Sequence, residues 1–287
     1  MNIQTPNGST GTVMDDATFT SIAALAKSEA GLILSKAKST MVQSRLRPRL
    51  KELGLSSFNS YSDYVTSNAG MSERIKMISA LTTNVSHFFR EPHHFEILID
   101  QALPDILAKA RRGEKVRIWS AGCSSGQEPY SIAMAILDAA PELATQDFLI
   151  LASDIDPKIT EKARLGQYSL QQIKGIPATF QDKYLTSVEG QKDTYEVKDE
   201  IKKIVRFREL NLLAEWPMQN KFDVILCRNV VIYFDAETQS DLWPRFHSVL
   251  KPDGWFFLGH SERVSETSMD KFSPIGLTAY RPIVASK

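Results

Sequence analysis

VRIWSAGCSSGQEPYSIAMAIL, residues 116–137, is the stretch on which the fold turns. Val116–Ala121 is a short apolar strand, Gly122–Gly126 is a turn, and the spacing from about Glu128 to Ala140 is that of a helix. In an α/β nucleotide-type fold this order places small residues where a ligand approaches the backbone. Amides at the start of the helix then face a polar or anionic group. A tight turn with no ligand would read the same, so the surrounding sequence has to decide.

Three more buried runs follow: Phe148–Ser153, Phe222–Cys227 and Trp255–Gly259, the last after a Lys-Pro-Asp-Gly turn at 251–254. Strands alternating with helical segments predict a parallel sheet covered on both faces. Residues 170–208 interrupt that rhythm with polar sequence, a Gly190 turn and short alternating runs, Thr194–Val197 and Ile204–Phe207. They are expected to form an inserted antiparallel β-subdomain. Upstream the pattern is helical. Phe19, Ile22, Ala23, Leu25 and Ala26 form one stripe; Met41, Val42, Leu46, Leu50 and Leu53 form another within 35–53, which Gly54 ends. Pro48 should bend or subdivide that second helix. Shorter helices are expected at 58–68 and 72–81. The division expected is a flexible tail at 1–14, an all-helical domain at 15–88 and an α/β domain at 89–287.

The 287 residues are 43% hydrophobic and 24% charged with zero net charge, so a core can form and charge effects must be local. Cys123 and Cys227 are far apart and lack metal-ligand spacing, and no metal site is expected. The adjacent His93 and His94 would project to different sides of a helix, which argues for structural roles. No run of about 18 apolar residues and no signal core is present. A cytoplasmic protein without membrane insertion is expected.

A dinucleotide fingerprint needs GxGxxG and an acid about 20 residues later. Here Ala121 replaces the first glycine, and Asp154 comes late. Asp154 still stands where a carboxylate meets ribose hydroxyls, although Asp-x-Asp-Pro also suits a helix start. Glu128 suits a helix dipole, or the ammonium group of an amino-acid moiety. S-adenosylmethionine has such an amine and a dinucleotide does not.

TTNVSHFFREPHHF at 82–95, NLL at 211–213 and LCRNVVIYFD at 226–235 join SAGCSSGQEPYSIA and ASDID in one order and spacing. Together they resemble the CheR-type chemoreceptor glutamate methyltransferases, from the helical region to about Glu262. The resemblance implies a helical domain followed by a Rossmann-like methyltransferase domain with a β-subdomain. It implies S-adenosylmethionine as cofactor, S-adenosylhomocysteine as product, and esterification of glutamates on the cytoplasmic helices of chemoreceptors. Asn84, Ser86 and Arg90 would contact the cofactor, Glu128 its methionine part and Asp154 its ribose. Asn211 and Leu212 would flank adenine, and Arg228 and Asn229 would close the site. Arg90 and Tyr233 would lie near the transferred methyl, although Tyr233 also reads as a packed aromatic. Ser86 stands where Thr is common in the family, and Gln127 where many members have Glu.

Methyl transfer to a carboxylate needs alignment and dryness rather than a strong base, which fits a site with no triad. The run 36–51 carries Lys36, Lys38, Arg45, Arg47, Arg49 and Lys51 with no acid among them. A solvated face explains it, but so does steering of acidic receptor helices, with Lys38, Arg45, Arg47 and Arg49 as substrate contacts. Without aromatic interleaving, nucleic acid is not expected as a partner. Family members that dock a receptor's C-terminal peptide by strand pairing are glycine-rich at the β-subdomain hairpin. Ser187-Val188-Glu189-Gly190 has one glycine, which weighs against such tethering. A monomer is expected. Two rivals remain at this level: a nucleotide-dependent oxidoreductase and a binding-only signalling module on the same fold.

Overall fold

The computed structural model describes residues 13–82 and 84–284. Residues 1–12 of the expected tail lie outside them. Met14 does not behave as tail: it is buried, and its N–H donates to Gln43 Oε1 at 3.1 Å. It precedes the N-cap Asp15, the position from which an apolar side chain steadies the entry to a helix.

The chain divides into two compact units, Met1–Thr82 and Thr83–Lys287. In the first, helices α1 (Asp16–Ala30), α2 (Ser39–Leu53), α3 (Phe58–Thr66) and α4 (Met71–Leu81) surround Ile22, Ala26, Val42, Leu46, Tyr61, Val65 and Met77, all without exposed surface. Asp15 starts α1 by accepting from the Thr18 amide at 2.7 Å, and left-handed Gly31 ends it. Helix α2 continues through Pro48 without subdivision. The carbonyl that this proline strands belongs to Ser44, at an exposed position of the helix.

The second unit is an α/β fold. Among its described residues are strands β1 (Val116–Ala121), β2 (Phe148–Asp154), β3 (Gln167–Ser169), β4 (Leu185–Ser187), β5 (Thr194–Val197), β6 (Val205–Glu209), β7 (Phe222–Cys227), β8 (Leu250–Leu258), β9 (Phe272–Gly276) and β10 (Ala279–Pro282). Seven of these form one sheet in the order β6-β2-β1-β7-β8-β10-β9. The first five run parallel, and β10 is antiparallel to both β8 and β9. The sheet is therefore mixed rather than wholly parallel, because the last residues return as a hairpin. Strands β1, β2 and β7 are almost continuously buried, as helices on both faces require.

A separate sheet of order β3-β5-β4 is antiparallel, as expected for the insertion, but its limits differ. It begins at Gln167, before 170. The run Ile204–Phe207, expected within it, falls largely in β6, which pairs with β2 as a parallel edge strand of the main sheet. An edge strand of either sheet buries alternate residues, so the period-2 pattern did not distinguish them. No helix among the described residues is long and apolar enough to cross a membrane.

Candidate active site at the strand ends

In sheets of this topology the loops after the parallel strands converge at one edge, where the strand order reverses on either side of β1. The expected site residues of the second unit belong to these loops and to the segment 84–91 that precedes them.

The turn after β1 is held from two sides. Amides of Gly122 and Cys123 donate to the Ser153 carbonyl at 2.7 and 2.9 Å. Gly122 is left-handed, and a Cβ there would stand 2.3 Å from Val230 Cγ2. Its lack of a side chain thus allows the β1 and β7 loops to meet. Asp154, at the end of β2, accepts from the Ser124 amide at 2.8 Å and the Asp156 amide at 3.1 Å. Asp156 itself caps helix α5 (Pro157–Leu165), accepting from the amides of Lys158 and Ile159, so the helix start does not need Asp154 as its cap. Burial pushes the Asp154 carboxyl up to about 6, against the two amides that favour its ionised form.

Glu128 lies in the first turn of the helix Gln127–Ala139. It accepts from Ser120 Oγ at 2.7 Å and from Arg228 Nη1 at 3.1 Å. Burial raises its pKa, and Arg228 opposes the rise. Both Asp154 and Glu128 act on the thiol of Cys123, which burial and these two charges push well up, so the carboxylates are neighbours around one loop.

Arg228, the residue after β7, is only 2% exposed at its side chain. Its guanidinium bridges Glu91 Oε2 at 3.2 Å and Glu128, and also donates to the Arg90 carbonyl. It therefore sits behind the loops as a buried tie. Burial raises Glu91, but Arg228 and the His260 amide outweigh it and hold the carboxyl low. Arg90 contributes its backbone to this tie, while its side chain stays 38% exposed with Nε 3.9 Å from Glu91 Oε1, beyond hydrogen-bond reach.

The remaining residues are placed less alike. Asn84 donates to Asp156 Oδ2 at 3.1 Å, and its carbonyl accepts from Ser124 Oγ at 3.1 Å, fixing the segment to the β1 and β2 loops. Ser86 is half-buried on that segment. Asn211 folds its side chain back to the Leu213 amide at 3.0 Å. Leu212 is buried in the apolar cluster that includes Trp119 and Phe246. Asn229 is left-handed at φ 60, and Tyr233 is half-buried at the end of a short 3₁₀ turn, Val231–Tyr233.

Four site groups were not singled out from sequence: Ser120, Glu91, Glu262 and the His260 amide. Glu91 follows Arg90 directly, and Glu262 closes a Gly-x-x-Glu turn after β8, so each had a faint local signal. The histidine argument needs correction. The His93 and His94 rings stand 4.1 Å apart, and their ligand atoms lie within 4.8 Å of Glu91 and of each other. Pro92 begins the helix there, so both rings belong to its first turn. Burial and Arg228 lower His94 to about 3, keeping it neutral, and the guanidinium on Glu91 opposes a second cation.

The basic run of the first unit also needs correction. Arg49 is 5% exposed and forms a bidentate pair with Glu73, at 2.8 and 2.7 Å, plus an ion pair to Glu52. It is a core residue rather than a substrate contact. Arg45 is half-buried and donates to the carbonyls of Leu81 and Thr82 at 2.7 and 2.9 Å. Lys38 and Arg47 are exposed.

As a chemical receptor, the strand-end site offers a half-buried carboxylate at Glu128 and a buried one at Asp154, whose remaining lone pairs suit hydroxyl donors and a cation. An adenosyl amino acid has both. The comparisons agree with that chemistry. Residues 84–281 match the family described as CheR methyltransferase, SAM binding domain, and residues 17–82 match CheR methyltransferase, all-alpha domain. A probable chemotaxis protein methyltransferase of Rhizobium etli is 48% identical over 88% of this chain and 95% of its own. Chemotaxis protein methyltransferases of Salmonella typhimurium and Escherichia coli are 41% and 40% identical, each over 93% of this chain and 90% and 91% of theirs. With residues 17–82 and 84–281 matched by its two domain models, the chain belongs to the CheR methyltransferase family.

Proposed function

We propose that this protein transfers a methyl group from S-adenosylmethionine to glutamate side chains on the cytoplasmic helices of chemoreceptors, forming methyl esters. The observation that carries the reading is the pair Glu128 and Asp154: a half-buried and a buried carboxylate at the β1 and β2 strand ends, both raised in pKa by desolvation. Bound S-adenosylmethionine supplies a methyl group activated by its sulfonium.

The chain's own residues bind and align. Glu128 offers an acceptor to an ammonium while Arg228 holds its other side. Asp154 offers acceptors to ribose hydroxyls. An incoming glutamate is ionised at neutral pH and needs no base, so the demand on the site is orientation and exclusion of water. Arg90 suits that role because its fold contribution is made by its carbonyl, leaving the guanidinium available for a carboxylate. Tyr233, on the loop that Arg228 starts, is assigned to orient the acceptor beside the methyl. Lys38 and Arg47, exposed on the first unit, are assigned to steering an acidic partner.

The test uses methyl-labelled S-adenosylmethionine and a purified chemoreceptor cytoplasmic fragment, followed by alkali. Label that transfers and leaves as methanol supports glutamyl esters. Alkali-stable label would refute glutamate as the acceptor.

A further inference from the structure

The pairing of strands β7 and β8 ends at Cys227 and Leu258, and the amides of Gly259 and Asn229 lie beyond the last pair. One side chain takes them. Glu262 Oε2 accepts from the Gly259 amide at 2.6 Å and the Asn229 amide at 2.7 Å, and Oε1 accepts from the Ile232 amide at 3.2 Å. The residue is 3% exposed, and none of the ion pairs among the described residues includes it. Its partners are therefore backbone amides, which favour an ionised carboxylate in a place where burial alone would neutralise it.

The bonds converge on a strained loop. Asn229 is a non-glycine residue at φ 60, a conformation that persists only where its surroundings fix it. Gly259 permits the approach: a Cβ there would stand 2.4 Å from Asn229 Nδ2, and 2.7 Å from both the Asn229 amide and Glu262 Oε2. Beyond Asn229 the Ile232 bond fixes the 3₁₀ turn that ends at Tyr233.

We propose that Glu262 is a positioning residue for methyl transfer, its carboxylate setting the aim of Asn229 and Tyr233 by gathering the amides of their loop. This rests on the reading of those two residues as part of the site. The mechanism needs no contact between Glu262 and either reactant.

The test compares E262Q, E262A and G259A with N229A and Y233F. It reads turnover and KM for the receptor fragment, S-adenosylhomocysteine affinity, melting, and the amide resonances of Gly259, Asn229 and Ile232. A displacement of about 1 Å at a positioned group costs up to roughly 100-fold in rate. E262A should approach that loss, E262Q roughly tenfold, with KM changed less than about threefold. G259A should lose turnover in the same way with the carboxylate intact. The three amides should leave their downfield positions in both Glu262 variants, while the rest of the spectrum stays. Wild-type turnover in E262A and G259A, beside an impaired Y233F, would overturn the positioning role alone. Wild-type turnover in both N229A and Y233F would overturn the site reading beneath it. General loss of dispersion in E262A, with G259A fully active, would reduce Glu262 to a fold-maintaining residue.

Discussion

Each unit buries one arginine between two acids, and the two clusters differ in what they leave over. In the helical unit Arg49 is held by both oxygens of Glu73 and by Glu52, and Tyr61 Oη donates to Glu73 at 3.1 Å. Glu73 is 2% exposed. In the α/β unit Arg228 ties Glu91 to Glu128, but among the described residues Glu128 has just one further donor, Ser120, and Asp154 beside it has backbone amides and no cation. A closed cluster holds helices together. An open one keeps acceptors in reserve, which is what a cofactor seat requires. Both arginines are buried alike, so burial by itself does not separate the clusters, and the proposed seat is distinguished by its unmet acceptors.

The comparison can be broken most forcefully at Glu73. Glu73→Ala leaves a buried guanidinium with one partner and should cost about 3–5 kcal/mol, read as a large fall in melting of the helical unit. Affinity for S-adenosylhomocysteine should persist, because the strand-end acceptors all belong to the other unit. Loss of affinity without loss of stability would invert the assignment of the two clusters.

Arg90→Ala should lower turnover roughly 100-fold while S-adenosylhomocysteine affinity changes less than about threefold, since the carbonyl that anchors Arg228 remains. Parallel loss of both would make Arg90 a cofactor clamp.

A third effect is smaller and depends on pH. Asp154 is raised to about 6 in the folded protein from an ordinary 3.8. Its contribution to stability is full below the ordinary value and lost as pH rises through about 6. Ligand hydroxyls that donate to the ionised form work in the opposite direction. Affinity for S-adenosylhomocysteine should accordingly rise roughly tenfold from pH 5 to 7 with proton release, and Asp154→Asn should flatten the component near pH 6. Glu128, also raised, adds a dependence of the same sign. A flat profile in the wild type would remove Asp154 from the seat.

The least effect belongs to the surface. Neutralising Lys38 and Arg47 should reduce kcat/KM for the receptor fragment by roughly three- to tenfold at low salt, and the deficit should shrink as salt screens the wild type. An unchanged value would leave these residues as a solvated face.

What the sequence disclosed follows the same division between local and distant. The β1 turn, Asp154 and Glu128 were legible because strand, glycine turn and first helical residue are contiguous. Arg49 was misjudged because a basic run displays charge and conceals burial; its partner Glu73 lies on another helix. Glu262 and Glu91 escaped because their roles come from amides and a guanidinium supplied by distant segments. Ile204–Phe207 was given to the wrong sheet because half-buried strands alternate alike in either, and β9 and β10 were hidden by Pro274, Gly276 and Pro282, which break the apolar alternation. Arg228 was expected to close the site, and its tie between two acids emerged only from the fold.

The most direct test of the open cluster is calorimetric titration of S-adenosylhomocysteine into the wild type and E128Q. Arg228 keeps Glu91 and the Arg90 carbonyl in the variant, so melting should move by only a few degrees. The account predicts one tight site in the wild type and a loss of roughly 100-fold or more in E128Q. Affinity within about threefold of the wild type would contradict it, and Glu128 would then be one more closed structural partner of Arg228.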